Sequence, residues 1–582
     1  MRIETFLDQL ATQAIEQTTG ERAPALLRPA NAEHGDYQVN AAMALGKRLG
    51  KKPRDIAEMI REALERHPAI ERAEVAGPGF VNLSLDSGWI AEQLSALTQD
   101  LERDGVPLVS TPEKIVIDFS GPNIAKQMHV GHLRSTIIGE ALRRLLSFVG
   151  HEVLGDNHLG DWGTQFGLLI MGQRAFGDPE AFRANPLREL ERVYKLASAT
   201  AEKDAEFQES ARAELAKLQS GDPENLALWR EFVSITRREL DIVYERLETH
   251  FDLWLGESAY NDRLPQVVAQ LEAKGFARED RGAKVIVWKE IDGASKRLKA
   301  QKVPFIVQKQ DGAYNYATSD IAAVEYRHQE LGCQRALYVV DVRQAPHFEQ
   351  VFATAELLGI PTALEHISFG TILGGDLKPL KTRDLHGNTV PLLALLEEAE
   401  QRAEARIREG IAEKGYDIAE ADITTVARAV GIGAVKYADL KQNRNSDYQF
   451  DWDKMVAFTG NAGPYLQYAY ARVRNIFAKG EADLEAARGP IELREPAELA
   501  LGRILLRFPE VVHQAAAARL PHLLCDHLYA SANAFSSFYS NCPVLKAESD
   551  SVRRSRLALA ALTARHLKRG LELLGVSVID RM

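Results

Sequence analysis

The chain has 582 residues, too many for one hydrophobic core, so three or four domains are expected. A net charge of −11 disfavours nucleic-acid binding by the chain as a whole, and 45% hydrophobic with 26% charged residues is ordinary for a globular protein. Three scattered cysteines, Cys333, Cys525 and Cys542, argue against a disulfide framework or a cysteine zinc site, and no apolar run approaches the roughly 20 residues of a membrane span.

The opening, "MRIETFLDQLATQAIEQ", is amphipathic and carries acids throughout, unlike a targeting segment, so cytoplasm is the expected location. Residues 1–106 read as a small α+β domain, with helical periodicity in "NAAMALGKRLGKKPRDIAEMIREAL" and a strand in "GFVNLSL". A second texture begins at "EKIVIDFS", a continuous apolar run of the kind buried parallel strands show. It leads through "GPNIAKQMH" into the helix "GHLRSTIIGEALRRLLSFVG", then into the strand and Gly/Asp-rich loop of "HEVLGDNHLGDWG". That order is a βαβ unit and predicts a Rossmann-like α/β domain over 107–385. Residues 175–260 are charged and helical and read as an insertion. "AKVIVW", "PFIVQK", "RALYVVDV" and "EHISFG" then resume the parallel sheet, which ends near Gly375. From 386 to 582 the pattern is helical, and "RRSRLALAALTARHLKRGL" holds six basic residues and no acid: a solvated face or a polyanion contact.

His129 and His132, three apart with Gly131 between them, admit three readings. Zinc requires about four ligands and nothing nearby completes a set. The pair could satisfy backbone groups at a helix start. The phosphate reading accounts for more, because a strand feeding a helix N-terminus presents free N–H groups and a favourable dipole to an anion. Gly131 would let a flat base lie against the backbone, and Lys126 adds a cation.

"HVGH" resembles the HIGH motif of class I aminoacyl-tRNA synthetases, and "SGPNIAKQMHVGHLRSTIIGEALRRLL" resembles the bacterial type of arginyl-tRNA synthetase. "HLGDWGTQFG", "YATSDIAAVEYR", "YVVDVRQAPHFEQVF", "AGPYLQYAYAR" and the C-terminal "LALAALTARHLKRGLELLGVSVIDRM" agree in order and spacing. The resemblance implies a ligase that activates L-arginine with ATP to arginyl-adenylate and pyrophosphate, then transfers arginine to tRNA(Arg). It implies an N-terminal domain touching the tRNA elbow, a catalytic domain with the HIGH motif, and an all-α stem and anticodon-binding bundle over 386–582. Mg²⁺ would come with ATP, with no tightly bound metal or organic cofactor, no membrane and no obligate protein partner; a monomer is usual.

By the same resemblance ATP lies along Pro122, Asn123, Ile124, Ala125, Lys126, Gln127, Met128, His129, Val130, Gly131 and His132. Lys126, His129, Gly131, His132, Lys378 and Lys381 would serve catalysis; "GGDLKPLKTRDLHGNTV" lacks a good KMSKS, so Lys126 is expected to compensate, with Arg383 a further candidate for pyrophosphate. Asp118, Asn123, His132, Tyr316, Asp320 and Gln344 would line the arginine pocket, where carboxylates suit a guanidinium. Asp320 also fits a capped helix start, and Trp162 a pocket rim. Phe80 and Asn82 would meet the elbow, Tyr539 and Met582 the anticodon, and Arg553, Arg554 and Arg569 the phosphates. Rival readings are a class I synthetase for another amino acid and an RNA-binding paralogue that does not charge tRNA; the acids at 118 and 320 oppose the first, and the retained histidines and tail oppose the second.

Overall fold

A computed structural model describes every residue except Met1, Asn31, Pro379, 381–390, Asp417 and Met582. The chain divides into two compact units, Met1–Val109 with Ala403–Lys441 and Met455–Met582, and Ser110–Arg402 with Gln442–Lys454. The predicted division at 385/386 falls among residues outside the described ones.

In the first unit, helix Ile3–Thr19 buries Leu7, Ala11, Ala14 and Ile15, the three-and-four spacing of an amphipathic helix. Strands β1 (Arg28–Pro29), β2 (Tyr37–Val39), β3 (Ile70–Ala76) and β4 (Phe80–Leu85) form an antiparallel sheet in the order β1-β2-β4-β3. The C-terminal part is a bundle including Gly463–Lys479, Pro496–Leu505, Phe508–Ala518, His522–Asn541 and Asp550–Leu573. The bundle grips the turn around Asp104, whose buried carboxylate accepts from Arg565 Nε at 2.9 Å and Arg569 Nε at 3.1 Å.

The second unit is built on a parallel sheet. Its strands are β5 (Lys114–Asp118) and β6 (Glu152–Asp156), followed after an interval by others. Next in the chain are β7 (Arg278–Asp280), β8 (Ala283–Ile286), β9 (Phe305–Gln308), β10 (Arg335–Tyr338), β11 (Ala363–His366), β12 (Ile372–Leu373) and β13 (Tyr448–Gln449). The parallel order is β11-β10-β5-β6, and register places Asp118 beside both Asp156 and Tyr338 at the C-terminal edge. Ile115, Val116 and Ile117 are fully buried, as a strand covered on both faces requires. "AKVIVW" and "PFIVQK" depart from expectation: they supply β8 and β9, which pair antiparallel in a separate three-stranded sheet with β7. A parallel crossover usually carries a helix, and between these two runs there is only a short 3₁₀ segment and the single turn Lys296–Lys299.

The 175–260 segment is helical, as its pattern suggests. Pro179–Ala184, Pro186–Ala201 and Pro223–Arg246 each begin with proline in the first turn, after Asp178, Asn185 and Asp222, whose side chains accept the first free N–H groups.

Candidate active site

Between β5 and helix Val130–Phe148 the backbone takes an unusual path, with Ser120 at φ +72° and Ala125 at φ +59°. Left-handed conformations cost a side-chain-bearing residue about 1 kcal/mol or more, so neighbours must impose them. Ser120 N donates to Ser135 Oγ at 2.8 Å and Gly121 N to Asn157 Oδ1 at 3.2 Å. The insertion supplies the rest: Ala125 N donates to Thr236 Oγ1 at 3.0 Å, and Gln127 N to Glu191 Oε1 at 2.7 Å. Ile124 N donates to Gly160 O and Gly160 N to Pro122 O, both at 3.2 Å, and a Cβ at Gly160 would collide with the Asn123 side chain. Pro122, Ile124, Ala125, Met128 and Val130 are buried, while Asn123 and Lys126 are exposed.

His129 is the N-cap of the following helix. Its Nδ1 accepts from Gly131 N at 3.0 Å, His132 Nδ1 accepts from His129 N at 3.2 Å, and the rings lie 4.1 Å apart. A Cβ on Gly131 would approach the His129 ring to 2.7 Å, so the glycine makes room for that imidazole. Burial, with the neighbouring Lys126, lowers the His129 pKa. Burial, then His129, pushes His132 down to about 3. Both rings are therefore neutral, and because Nδ1 accepts, the proton sits on Nε2. The cap thus leaves each ring one N–H donor, while the helix start leaves backbone donors. Capping and anion binding are compatible here.

Lys126 Nζ lies 5.1 Å from the centre of the Tyr194 ring. Lys378 is exposed in a tight turn, where Gly374 N donates to its carbonyl at 2.8 Å. Lys381 and Arg383 lie outside the described residues.

At the same sheet edge, Arg327 Nη2 donates to Asp118 Oδ2 at 2.7 Å and Asp156 Oδ2 at 2.8 Å. Asp118 is thus already paired internally, although 12% of its side chain remains exposed. Burial raises its pKa against the pull of Arg327. Asp320 is not a helix cap. Asn315 caps helix Tyr316–Gln329, and Asp320 Oδ2 accepts from His347 Nε2 at 2.5 Å. His158 Nε2 stands 3.9 Å from Asp320 Oδ1. Tyr316 is exposed with its ring 4.8 Å from His347, and exposed Gln344 starts the His347-bearing helix, Ala345–Leu358. Trp162 is partly exposed and donates to Asn261 Oδ1 at 3.1 Å. The predicted pocket residues of β5, the 316 helix and the 344 turn thus gather around acids that also hold Arg327, His158 and His347, three residues the sequence reading did not single out. Arg327 follows Asp320 by seven positions, two helical turns on one face, which was a readable signal.

In the first unit, Phe80 is partly exposed at the start of β4, whereas Asn82 is buried and its Oδ1 accepts from Gln38 Nε2 at 2.7 Å. Tyr539 is exposed, with the Arg472 guanidinium 4.4 Å from its ring centre. Arg554 is exposed and Arg553 partly so. Arg569 corrects an expectation: its bonds to Asp104 and to the carbonyls of Leu101 and Glu102 commit it internally, as Arg556 is committed to Glu498 and Arg565 to Asp104. The basic stretch is largely structural. Met582 lies outside the described residues.

Comparison with known proteins divides the chain into three matched segments. The family model described as tRNA synthetases class I (R), catalytic domain, matches residues 95–452; a DALR anticodon binding domain matches 466–582 and an arginyl tRNA synthetase N terminal domain matches 4–85. Arginine–tRNA ligase of Proteus mirabilis is 45% identical over 591 residues, covering 100% of both chains. That of Alcanivorax borkumensis is 45% identical, covering 100% of this chain and 99% of its own. Among solved structures, arginyl-tRNA synthetase from Plasmodium falciparum has a TM-score of 0.84 at 28% identity, covering 100% of this chain and 99% of its own. The Thermus thermophilus arginyl-tRNA synthetase has a TM-score of 0.82 at 26% identity, covering 100% of both. By the extent of the catalytic-domain match and the full-length relatives, the chain belongs to the arginyl-tRNA synthetase family.

Proposed function

We propose that the chain is an arginine–tRNA ligase. The arginine carboxylate attacks the α-phosphorus of ATP, a new carboxyl–phosphate bond forms, and pyrophosphate leaves. A ribose hydroxyl of the terminal tRNA nucleotide then attacks the activated carbonyl, its proton is lost, and AMP departs. The observation that carries this reading is the placement of two neutral imidazole donors at a helix start on the same sheet edge as the Asp118–Asp320 carboxylates.

His129 and His132 donate from Nε2 to phosphate oxygens, and Lys126 leaves the Tyr194 ring to join them; that contact is worth only about 0.5–1 kcal/mol at an exposed site. Such chemistry is mostly positioning and charge stabilisation. Pro122 to Val130 shape the nucleotide loop, Lys378 meets pyrophosphate, and Lys381 keeps its proposed place there. The loop offers nitrogen donors, poor ligands for a hard cation, so Mg²⁺ arrives on the ATP oxygens; no resident metal or organic cofactor is proposed. Asp320 takes the guanidinium with Tyr316 beside it, Asp118 adds its partly exposed carboxylate although Arg327 pairs with it, and Asn123, His132 and Gln344 hold the α-amino and carboxylate end.

Residues 1–106 meet the tRNA elbow through Phe80, with Asn82 acting by orienting Gln38. The C-terminal helical part meets the anticodon through Tyr539 and Met582 and phosphates through Arg553 and Arg554. We place the protein in the cytoplasm as a monomer without an obligate partner; among the described residues no helix is long and apolar enough to cross a membrane. Charging total tRNA with labelled arginine tests the reading: arginine alone should become acid-precipitable with tRNA, and labelling by another amino acid instead would overturn it.

A further inference from the structure

His158 follows β6 by two residues, and its side chain is only 13% exposed. Its surroundings are unusually acidic. Asp118 faces it from β5, Asp156 from β6, Asp161 from its own loop, Glu257 from the 257 turn, and Asp320 from the 316 helix, with Arg327 the one opposing guanidinium. Tyr260 covers it with a ring 5.7 Å away. Nε2 points toward Asp320 Oδ1 at 3.9 Å, while Nδ1 is buried with no hydrogen-bond partner among the described residues. Burial pulls its pKa down, but Asp118 and Asp320 outweigh this and hold it above the ordinary histidine value. Burial likewise raises the Glu257 carboxyl to about 7. Arg327 is shared by Asp118 and Asp156, and beside Asp320 stand the rings of His347, at 2.5 Å from Oδ2, and His158.

We propose that protonated His158 is the resident cation of the arginine pocket, and that the substrate guanidinium replaces its charge, so that arginine binds as a proton leaves. This rests on the reading of Asp320 as the guanidinium subsite. The proton leaves from Nδ1, which has no acceptor to hold it, and passes to solvent buffer; the neutral ring keeps Nε2–H toward Asp320. Two like charges in one buried cluster disfavour each other, which is the source of the exchange. The lone histidine of a loop becomes a specificity element: a neutral isostere such as citrulline cannot replace the charge, so it gains nothing from the exchange.

Calorimetric titration of arginine into the full chain, at about pH 6.5 in two buffers of different ionisation heat, counts the protons released. Wild type should release a substantial fraction of one proton, and its Kd for arginine should weaken as pH falls, approaching tenfold per unit. His158→Asn and, as a second variant in case the first misfolds, His158→Gln should bind arginine with little release and a flat pH profile. No buffer dependence in wild type, or undiminished release from a folded His158 variant, overturns the proposal. Unchanged arginine affinity in Asp320→Asn would overturn the subsite reading itself, whatever the proton count.

Discussion

His132 serves two ends at once: Nδ1 closes the helix start and the Nε2–H remains to donate. His132→Asn should slow arginine activation by about a hundredfold, equivalent to roughly 3 kcal/mol for a lost phosphate donor, while tRNA affinity in a filter-binding assay stays nearly constant. Equal loss of both would assign His132 to folding. Asp320→Asn removes the charge from the proposed guanidinium bond, and a hydrogen bond to a charged group contributes about 1.5–3 kcal/mol. The arginine KM should therefore rise roughly ten- to hundredfold with the ATP KM spared; steady-state kinetics giving an unchanged arginine KM would contradict this. At this scale the HVGH pair stands out as a motif, while Asp320 enters through the resemblance carried by "YATSDIAAVEYR". His158 lay inside the quoted "HLGDWGTQFG" without comment, because one histidine in a glycine-rich loop has no periodicity to mark it. Only the register of β5 and β6, which brings Asp118 beside Asp156, shows that the residues after both strands share a crevice. Arg569 was misread for the converse reason, since its partner Asp104 is far away in the chain.

The insertion acquires a role once its elements are placed. Helix Pro223–Arg246 presents Thr236 to the backbone of Ala125 and Tyr244 to Ser120, where the two hydroxyls lie 2.7 Å apart, and Pro186–Ala201 presents Glu191 to Gln127. These bonds hold the loop before helix Val130–Phe148 in its left-handed turns. Thr236→Val keeps the shape but leaves a buried N–H unpaired, which costs about 1–3 kcal/mol. Stopped-flow or steady-state assays should give roughly a tenfold lower kcat/KM for ATP with a modest fall in Tm. Full activity would mean the loop keeps its form without the brace. The helical character of the insertion was legible from its caps and charge pattern, but its bracing was not, because single Thr and Glu residues on a helix face look like solvated surface. The antiparallel pairing of β8 and β9 was hidden too: short apolar runs fit either sheet, and only the lack of a substantial crossover helix between them speaks for a separate one.

For the molecule as a whole, pH acts through buried histidines. Burial pushes His132 and His527 down to about 3 and His566 well below its ordinary value; both His566 ring nitrogens lack hydrogen-bond partners among the described residues as the ring stacks on Phe508. Such groups are neutral in the fold and protonate freely when unfolded. Their contribution is complete above the unfolded pKa, near 6.5, and is lost as pH falls toward the folded values. Glu257, whose carboxyl burial raises to about 7, acts in the opposite sense over this window and offsets part of the loss, whereas the contribution of His158, with its raised pKa, is already complete below about 6.5. Scanning calorimetry should show Tm falling steadily between about pH 6.5 and 5, and His566→Leu should flatten that slope. An unchanged slope in a folded His566 variant would remove it from the account. The three-part organisation was legible because composition and motif change along the chain, whereas the return of 442–454 to the catalytic unit, through the two-residue strand β13 and bonds such as Arg134 Nη1 to Ser446 O, leaves no periodic trace. The central claim is that this sheet edge activates arginine and no other amino acid. ATP–pyrophosphate exchange with each amino acid in turn, with and without total tRNA, tests it most directly: exchange with arginine alone, and only when tRNA is present, is the predicted result. Folded protein that binds tRNA yet exchanges with no amino acid, or exchanges with one other than arginine, would contradict it.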